Sequence, residues 1–389
     1  MRARLKLEVA LLTATCFVLN TTNRMFYPFL AVFARGMGMD LRSISLAVTA
    51  MDASGALGPF LASTGDTRGR KAAILLSVAF FCAGPLVAAI FPSFPSFLLA
   101  VILIGVGVSA TVPAVHAYLG DEFPYERRGL AISIAELSWS SSFIIGVPLV
   151  GLLIARYGWT APFPVLGGLG LGMLALLSWV LPRGTRHPSA SLPLANFRRV
   201  LAYGPALAGF LVTMAAACGN ELISLVFGVW MGDHFGLQIA ALGAASTVIG
   251  LAELSGEGLG AGLVDRLGKQ RSVGLGLGGN ILAAGLFLLL GRSLPGALAG
   301  LFLFYLSYEY TVLSIIPLMS EVLPEARGTL LALNGAAFLI GRAVGASAAA
   351  LLYQGWGIAA NLIVSAGLDL VALAVLRRVV LRRSIPAVE

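Results

Sequence analysis

Residues 72–92 read AAILLSVAFFCAGPLVAAIFP, an apolar run without a single charged side chain. An uncharged apolar run of more than about 18 residues is typical of a helix that crosses a bilayer. The run is solidly apolar, whereas barrel strands alternate apolar and polar residues. Residues 72–92 therefore predict a transmembrane helix.

Similar runs fill most of the chain on both sides of this one. Because backbone groups in lipid must find partners inside their own segment, such runs favour an all-α integral membrane protein. We predict twelve spans, near residues 8–33, 42–64, 72–92, 95–120, 128–155, 160–181, 200–232, 238–264, 271–291, 294–320, 328–354 and 357–380.

The composition excludes a water-soluble globule. Hydrophobic residues make up 58% of the 389 residues and charged residues 11%, with a mean hydropathy of +0.92, against roughly 25% charged in soluble domains. The net charge of +8 could indicate nucleic-acid binding. The basic residues, however, form short clusters between the apolar runs, so we predict no nucleic-acid partner.

The basic clusters give an orientation. Most Lys and Arg residues fall at the two termini and in the loops after the even-numbered spans, while the other side has only Arg35, Arg42, Arg156 and Arg292. The positive-inside rule then places both termini in the cytoplasm. We therefore expect a multi-pass protein of the cell (inner) membrane.

The two halves of the chain repeat each other. Asp66 follows span two and Asp265 follows span eight, 199 positions later, and Arg128 and Arg327 keep the same offset. Gly158-Trp159 recurs as Gly355-Trp356. We predict an N-terminal six-helix bundle (1–181), a cytoplasmic connector (182–199) and a C-terminal six-helix bundle (200–389), related by a parallel duplication with a site where the halves meet.

The loop after span two carries the most specific motif, Gly65-Asp66-Thr67-Arg68-Gly69-Arg70-Lys71. It resembles the G-x-x-x-D-R-x-G-R-[KR]-[KR] signature of the major facilitator superfamily, with Thr67 at the usual Arg. Residues 146–151 (GVPLVG) in span five look like the end of an antiporter motif of that family, which points to its drug/proton antiporter-like efflux branch.

The resemblance implies a fold and a mechanism. Spans 1, 2, 4, 5, 7, 8, 10 and 11 would line a central cavity, and the two bundles would rock about it. The loop motifs would hold one access state closed, because charges near helix ends pair with one another and with helix termini. The gating residues are Gly65, Asp66, Arg68, Gly69, Arg70, Asp265, Arg266 and Gly268.

Ionisable residues inside the spans are candidate functional residues, because a charge at bilayer depth costs roughly 2.5–3.5 kcal/mol even on the gentler insertion scales. Polar and aromatic neighbours at helical spacing extend the set. The candidate cavity residues are Asn20, Arg24, Tyr27, Asp52, His116, Glu136, Glu221, Tyr305, Tyr308, Glu309, Asn334 and Arg342. Pro28 is placed to break span one locally, and His116 reads equally well as a buried neutral histidine.

Depth along each span suggests partners. At 1.5 Å per residue, Arg24 and Asp52 lie at similar depth, as do Glu309 and Arg342. Glu253 and Glu257 share one face of span eight. Two such carboxylates repel each other, so we expect one to keep its proton, unless both face a water-filled vestibule. Glu253, Glu257 and Asp52 are the candidate proton-coupling residues.

We therefore predict a secondary active transporter working by alternating access, with proton-coupled export of a small organic solute as the leading function. The alternatives are transport of an anionic metabolite or lipid headgroup clamped by the buried arginines, and a non-coupled lipid scramblase. Protons or sodium would be the coupling ion and a monomer is expected. We find no motif for an enzyme, a metal or a cofactor.

Overall fold

A computed structural model of the chain describes residues 3–182 and 194–383, apart from residues 63 and 65–67. The described residues form helices and no strands, which confirms the all-α prediction. In the first half these are α1 (Ala3–Arg24), α2 (Leu30–Met37), α3 (Leu41–Gly55), α4 (Gly58–Ala62), α5 (Arg70–Ile90), α6 (Phe94–Glu122), α7 (Tyr125–Ser141), a π-helix (Ser142–Gly146), α8 (Val147–Tyr157) and α9 (Pro162–Val180).

The second half continues with α10 (Leu194–Ala202), α11 (Gly204–Ser224), α12 (Phe227–Phe235), α13 (Ile239–Leu267), α14 (Lys269–Leu290), α15 (Leu294–Ser320), a 3-10 turn (Pro324–Ala326) and α16 (Arg327–Arg383). Of the predicted connector, residues 183–193 lie outside the described part, and α10 begins within the rest of it.

The described helices account for the twelve predicted spans. Ten are long and apolar enough to cross a membrane. One of these, α16, contains spans eleven and twelve, because Gly357 interrupts it with φ 72° and ψ −175°. Span two is absent from the ten because a turn at residues 56–57 divides it into α3 and the short α4.

The described residues pack into two compact units. Unit one comprises those within 1–189 and 231–250, and unit two those within 190–230 and 251–389. Four aromatic rings pack together in unit one, with centroids 5.5 to 6.3 Å apart: Phe26, Phe33, Phe97 and Phe163. In unit two, an apolar cluster joins α10, α11, α14, α15 and α16.

Backbone features of the first half recur in the second half. Gly69 and Gly268, 199 positions apart, start α5 and α14 with φ of 94° and 85°. Gly158 has φ 88°, and its counterpart in the second half is Gly357, again 199 positions later. The sequence analysis matched Gly158 with Gly355, whereas the structure shows that the equivalent residue is Gly357, two positions later. A left-handed φ favours glycine because it has no Cβ.

Candidate functional site

Span one breaks where its polar residues end. After Arg24 the chain forms a turn over residues 25–29 and resumes as α2. Pro28 lies in this turn and has no backbone N–H to continue a helix. The predicted break is confirmed, and Arg24 becomes the last residue of α1, where the partial negative charge of the helix end favours a cation.

Arg24 packs against span five. Its Nη1 donates to the carbonyl oxygen of Trp139 at 2.9 Å. The guanidinium carbon lies 4.1 Å from the centre of the Trp139 ring and 3.7 Å from that of Phe143. One turn earlier on α1, Asn20 Nδ2 donates to Ser138 Oγ at 3.1 Å. The structure thus brings these two predicted residues to one face of span five, while the Arg24–Asp52 pairing stays a prediction.

The π-helix begins where Arg24 packs. Pro148 offers no N–H to the carbonyl oxygen of Ile144, and the Thr247 hydroxyl donates to that oxygen at 3.4 Å instead. Extra backbone turns of this kind recur at functional sites. Span five therefore changes its helical geometry beside a buried arginine.

His116 and Glu136 form a direct pair between spans four and five. The distance from Nε2 to Oε1 is 2.6 Å, and the side chains are 33% and 47% exposed. Asp52, on α3, is buried, and so is Tyr27. The predicted residues of unit one therefore include a partly exposed acid–base pair.

Arg342 pairs with Glu221 in unit two. Arg342 Nη2 lies 3.2 Å from Glu221 Oε2, and the side chains are 11% and 0% exposed. Depth arithmetic had assigned Glu309 to Arg342, and it missed Glu221 as a partner. Glu309 stays a predicted second partner of Arg342, and both side chains are buried.

Neutral polar side chains of α11 form further hydrogen bonds with other helices of unit two. The Ser224 and Tyr305 hydroxyls lie 2.7 Å apart, and Ser224 Oγ also donates to Asn220 Oδ1 at 3.0 Å. Thr213 donates to Asn334 Oδ1 at 2.7 Å. Ser224 is the last residue of α11, so span seven is interrupted as span one is, and a polar cluster lies at the break.

Three carboxylates occur where α13 meets α15. A Cβ added at Gly256 would lie 2.8 Å from Glu309 Cβ and 2.9 Å from the Leu306 carbonyl oxygen, so the two helices touch there. Glu253 and Glu257 flank Gly256 on α13. Glu253 is 2% exposed, and Glu257 is partly exposed. The structure thus leaves the paired glutamates beside Glu309, at a close helix contact.

The gating motifs are partly described. Gly65 and Asp66 lie outside the described residues. Arg70 Nε contacts Asp121 Oδ2 at 2.8 Å, and Lys71 Nζ donates to the carbonyl oxygens of Ser178 and Leu181 at 2.5 and 2.7 Å. These contacts lie inside unit one, and those of Lys71 are made with carbonyl oxygens at the end of α9.

The equivalent contact in unit two joins Lys269 to Glu321. Arg68, Asp265, Arg266 and Gly268 are exposed. In each unit the motif therefore connects the start of one span to the end of the next, from α5 to α6 and from α14 to α15.

Sequence reasoning missed Glu8. This carboxylate is 1% exposed; it accepts from Tyr118 Oη at 2.9 Å and from Arg4 Nε at 2.9 Å. The available signal was the spacing of four residues between Arg4 and Glu8 on one helix face. Among the described residues, no three His, Cys, Asp or Glu side chains come together in a group that could hold a metal ion.

The chain resembles known proteins over nearly its whole length. A family model described as Major Facilitator Superfamily matches residues 12–208 and 209–388. The MFS-type transporter YceJ of Bacillus subtilis (strain 168) is 28% identical over 359 residues, covering 89% of each chain.

Two solved structures share the fold. A D-xylose-proton symporter has a TM-score of 0.78 at 15% identity and covers 95% of this chain and 96% of its own. The human organic anion transporter MFSD10 (TETRAN) has a TM-score of 0.72 at 20% identity and covers 95% and 98%. At these identities the likeness concerns the fold.

Proposed function

The chain belongs to the Major Facilitator Superfamily, and we propose that it exports a small organic solute by alternating access, driven by a proton gradient. Family membership makes it a membrane transporter and not an enzyme. The proposal adds the coupling ion, the direction of transport and the residues that bind the proton.

The coupling proposal rests on the burial of Glu253. Its side chain is 2% exposed inside a membrane-spanning helix. An ionised carboxylate at that depth is costly, and a second one at Glu257, one turn away on the same face, repels it. Binding one proton relieves both costs, and releasing it restores them. The pair can therefore bind a proton in one access state and release it in the other.

The coupling test separates driven flux from exchange. We expect Glu253→Gln or Glu257→Gln to abolish gradient-driven transport in proteoliposomes while preserving counterflow of solute between equal compartments. The reason is that a permanently neutral side chain mimics the protonated carrier. Glu325→Gln, a change at an exposed residue of the 3-10 turn, is the matched control and should leave both fluxes intact.

Two outcomes would contradict this assignment. Wild-type protein without any response to a proton gradient would remove the coupling proposal itself. Full coupling in both glutamate variants would move the proton to another group, and Glu136 comes first because His116 is hydrogen-bonded to it at 2.6 Å.

Export as the direction is supported by the resemblance of residues 146–151 to the end of an antiporter motif. The antiporter-like residues 146–151 coincide with the end of the π-helix and the start of α8. Everted vesicles should accumulate solute when their lumen is acidified, and right-side-out cells should lose it. Accumulation by energised intact cells would instead establish import.

An anionic solute is the second candidate. Arg24 and Arg342 are both buried in membrane spans, and an arginine binds carboxylate or phosphate in a fork geometry. A thermal-shift screen that compares organic anions with organic cations of similar size discriminates between the two. Stabilisation by anions alone, lost in Arg24→Gln but retained in Arg156→Gln, would favour the anionic solute.

A further inference from the structure

Unit two contains an apolar cavity at one end of its helices. The cavity of about 60 Å³ is lined by Pro205, Ala208 and Gly209 near the start of α11, by Gln270 at the start of α14, and by Met319 and Leu376 near the ends of α15 and of the described part of α16. These helix termini share one end of the bundle. The lining is mostly apolar, and a cavity with an apolar lining suits hydrocarbon better than water.

The same end of unit two is basic. Among the side chains that the structure describes at these helix ends, seven are basic and three acidic: Arg198, Arg199, Arg266, Lys269, Arg271, Arg327 and Arg377 against Asp265, Glu321 and Glu325. Glu321 is already paired with Lys269. Arg198, Arg199, Arg271 and Arg377 are exposed, so this end presents an excess of positive charge beside the cavity.

Helix α10 packs against the cavity wall and also carries two of the exposed arginines. Its Val200 is fully buried in the apolar cluster that also contains Val212, Met319 and Leu376, three residues of the cavity wall. Its Arg198 and Arg199 are exposed, and Leu201 is 50% exposed. A short helix with one apolar face, exposed arginines and an exposed leucine is typical of the water–lipid boundary.

We propose that this end of unit two binds one anionic phospholipid, with an acyl chain in the cavity and its phosphate on Arg199 and Arg271. The two halves of the site match the two halves of such a lipid, since basic pockets between membrane helices on the cytoplasmic side bind anionic headgroups. The site is independent of solute and coupling ion.

Lipid binding can be measured on the purified full chain after delipidation in detergent. Phosphatidylglycerol should raise the melting temperature and appear as a bound lipid in native mass spectra, while phosphatidylcholine with identical acyl chains should not. We expect Arg199→Gln combined with Arg271→Gln to weaken phosphatidylglycerol binding by at least about tenfold, since each arginine near anionic lipid contributes about 1 kcal/mol. Arg292→Gln, an exposed arginine at the opposite helix ends, is the matched control.

A second variant tests the cavity separately from the charge. Ala208→Phe fills the cavity, so it should weaken binding of long-chain phosphatidylglycerol and spare a short-chain analogue. An unchanged elution profile in size exclusion shows that the variant is folded. Equal stabilisation by phosphatidylcholine, or the same stabilisation by glycerol phosphate alone, would overturn the proposal. The first would mean unspecific lipid contact, and the second an anion site without a lipid.

Discussion

Arg342 and Glu221 have to be considered together, because each is the other's partner at 3.2 Å and Glu221 is fully buried. Removing one member of a buried pair leaves an uncompensated charge, which typically costs about 3–5 kcal/mol. We expect Arg342→Ala to lower stability by that order and to abolish solute binding.

The double variant Arg342→Gln with Glu221→Gln should regain most of the stability without regaining binding, because neither member of the ion pair is then left charged without the other. Thermal unfolding in detergent, together with solute binding, gives both quantities. A double variant as unstable as Arg342→Ala would mean that Arg342 stabilises the fold through contacts other than the ion pair.

Asp40 provides a pH-dependent helix start. Its carboxylate accepts from the Ser43 backbone N–H at 2.9 Å and caps α3. Hydrogen bonds from Ser43 hold the pKa of Asp40 below its usual 3.8. Because the folded pKa is lowered, the cap contributes its full stability above the usual value and loses it as the pH falls through the lower folded value.

Hydrogen exchange of the first turn of α3 measures this effect. Protection there should fall on acidification in the wild type, and Asp40→Ala should lack it at neutral pH. Asp40→Asn should keep the cap and lose the pH dependence, since asparagine caps helices without titrating in this range. Identical acid responses in wild type and Asp40→Asn would assign the effect to another group.

At the residue scale, the sequence identified which side chains matter better than which ones meet. Arg342 and Glu221 were candidates because both are charged inside spans. Their contact was missed because residue counting gives depth along a helix but not the direction in which the side chain leaves it. The His116–Glu136 hydrogen bond was missed for the same reason.

At the scale of elements, the solid apolar runs predicted the helices well and their interruptions unevenly. The break in span one could be predicted because Pro28 marks it. The break in span seven after Ser224 has no proline within it, and the division of span two at residues 56–57 stands directly before Gly58-Pro59, a signal that the sequence analysis left unused. Hydropathy averages over a whole run, so it passes across both breaks without a signal.

The contact between span five and the start of span eight is tight enough to test. A Cβ added at Gly250 would lie 2.7 Å from the Ser140 carbonyl oxygen and 2.9 Å from Ile144 N, both backbone atoms that cannot move aside. We expect Gly250→Ala to cost about 1–3 kcal/mol through overpacking. Gly258→Ala, on the same helix with open space at the Cβ, should be neutral. Equal melting temperatures for the two variants would show that the contact is looser than described.

For the whole molecule, the distribution of basic residues predicts that the chain between the two halves is cytoplasmic. A cysteine introduced by Ser189→Cys should react with an impermeant maleimide only after the cell is opened. The background is low because Cys16, Cys82 and Cys218 are buried. Arg292→Cys should react from outside intact cells. Labelling of Ser189→Cys from outside would reverse the orientation.

The paired landmarks also record a history. Left-handed glycines at 69 and 268 and at 158 and 357, and helix ends at Arg24 and Ser224, occur in both halves at offsets of 199 or 200. Such offsets are what the duplication of a six-helix unit predicts. The Arg70–Asp121 pair also recurs, as Lys269–Glu321. The His116–Glu136 pair has no such counterpart, since Ile315 and Ile316 stand 199 and 200 positions after His116, and Gly335 and Ala336 after Glu136. The glycine turns, the helix breaks and the contact at the start of α5 and α14 are thus common to both halves, whereas the pairs His116–Glu136 and Arg342–Glu221 inside the spans each occur in one half.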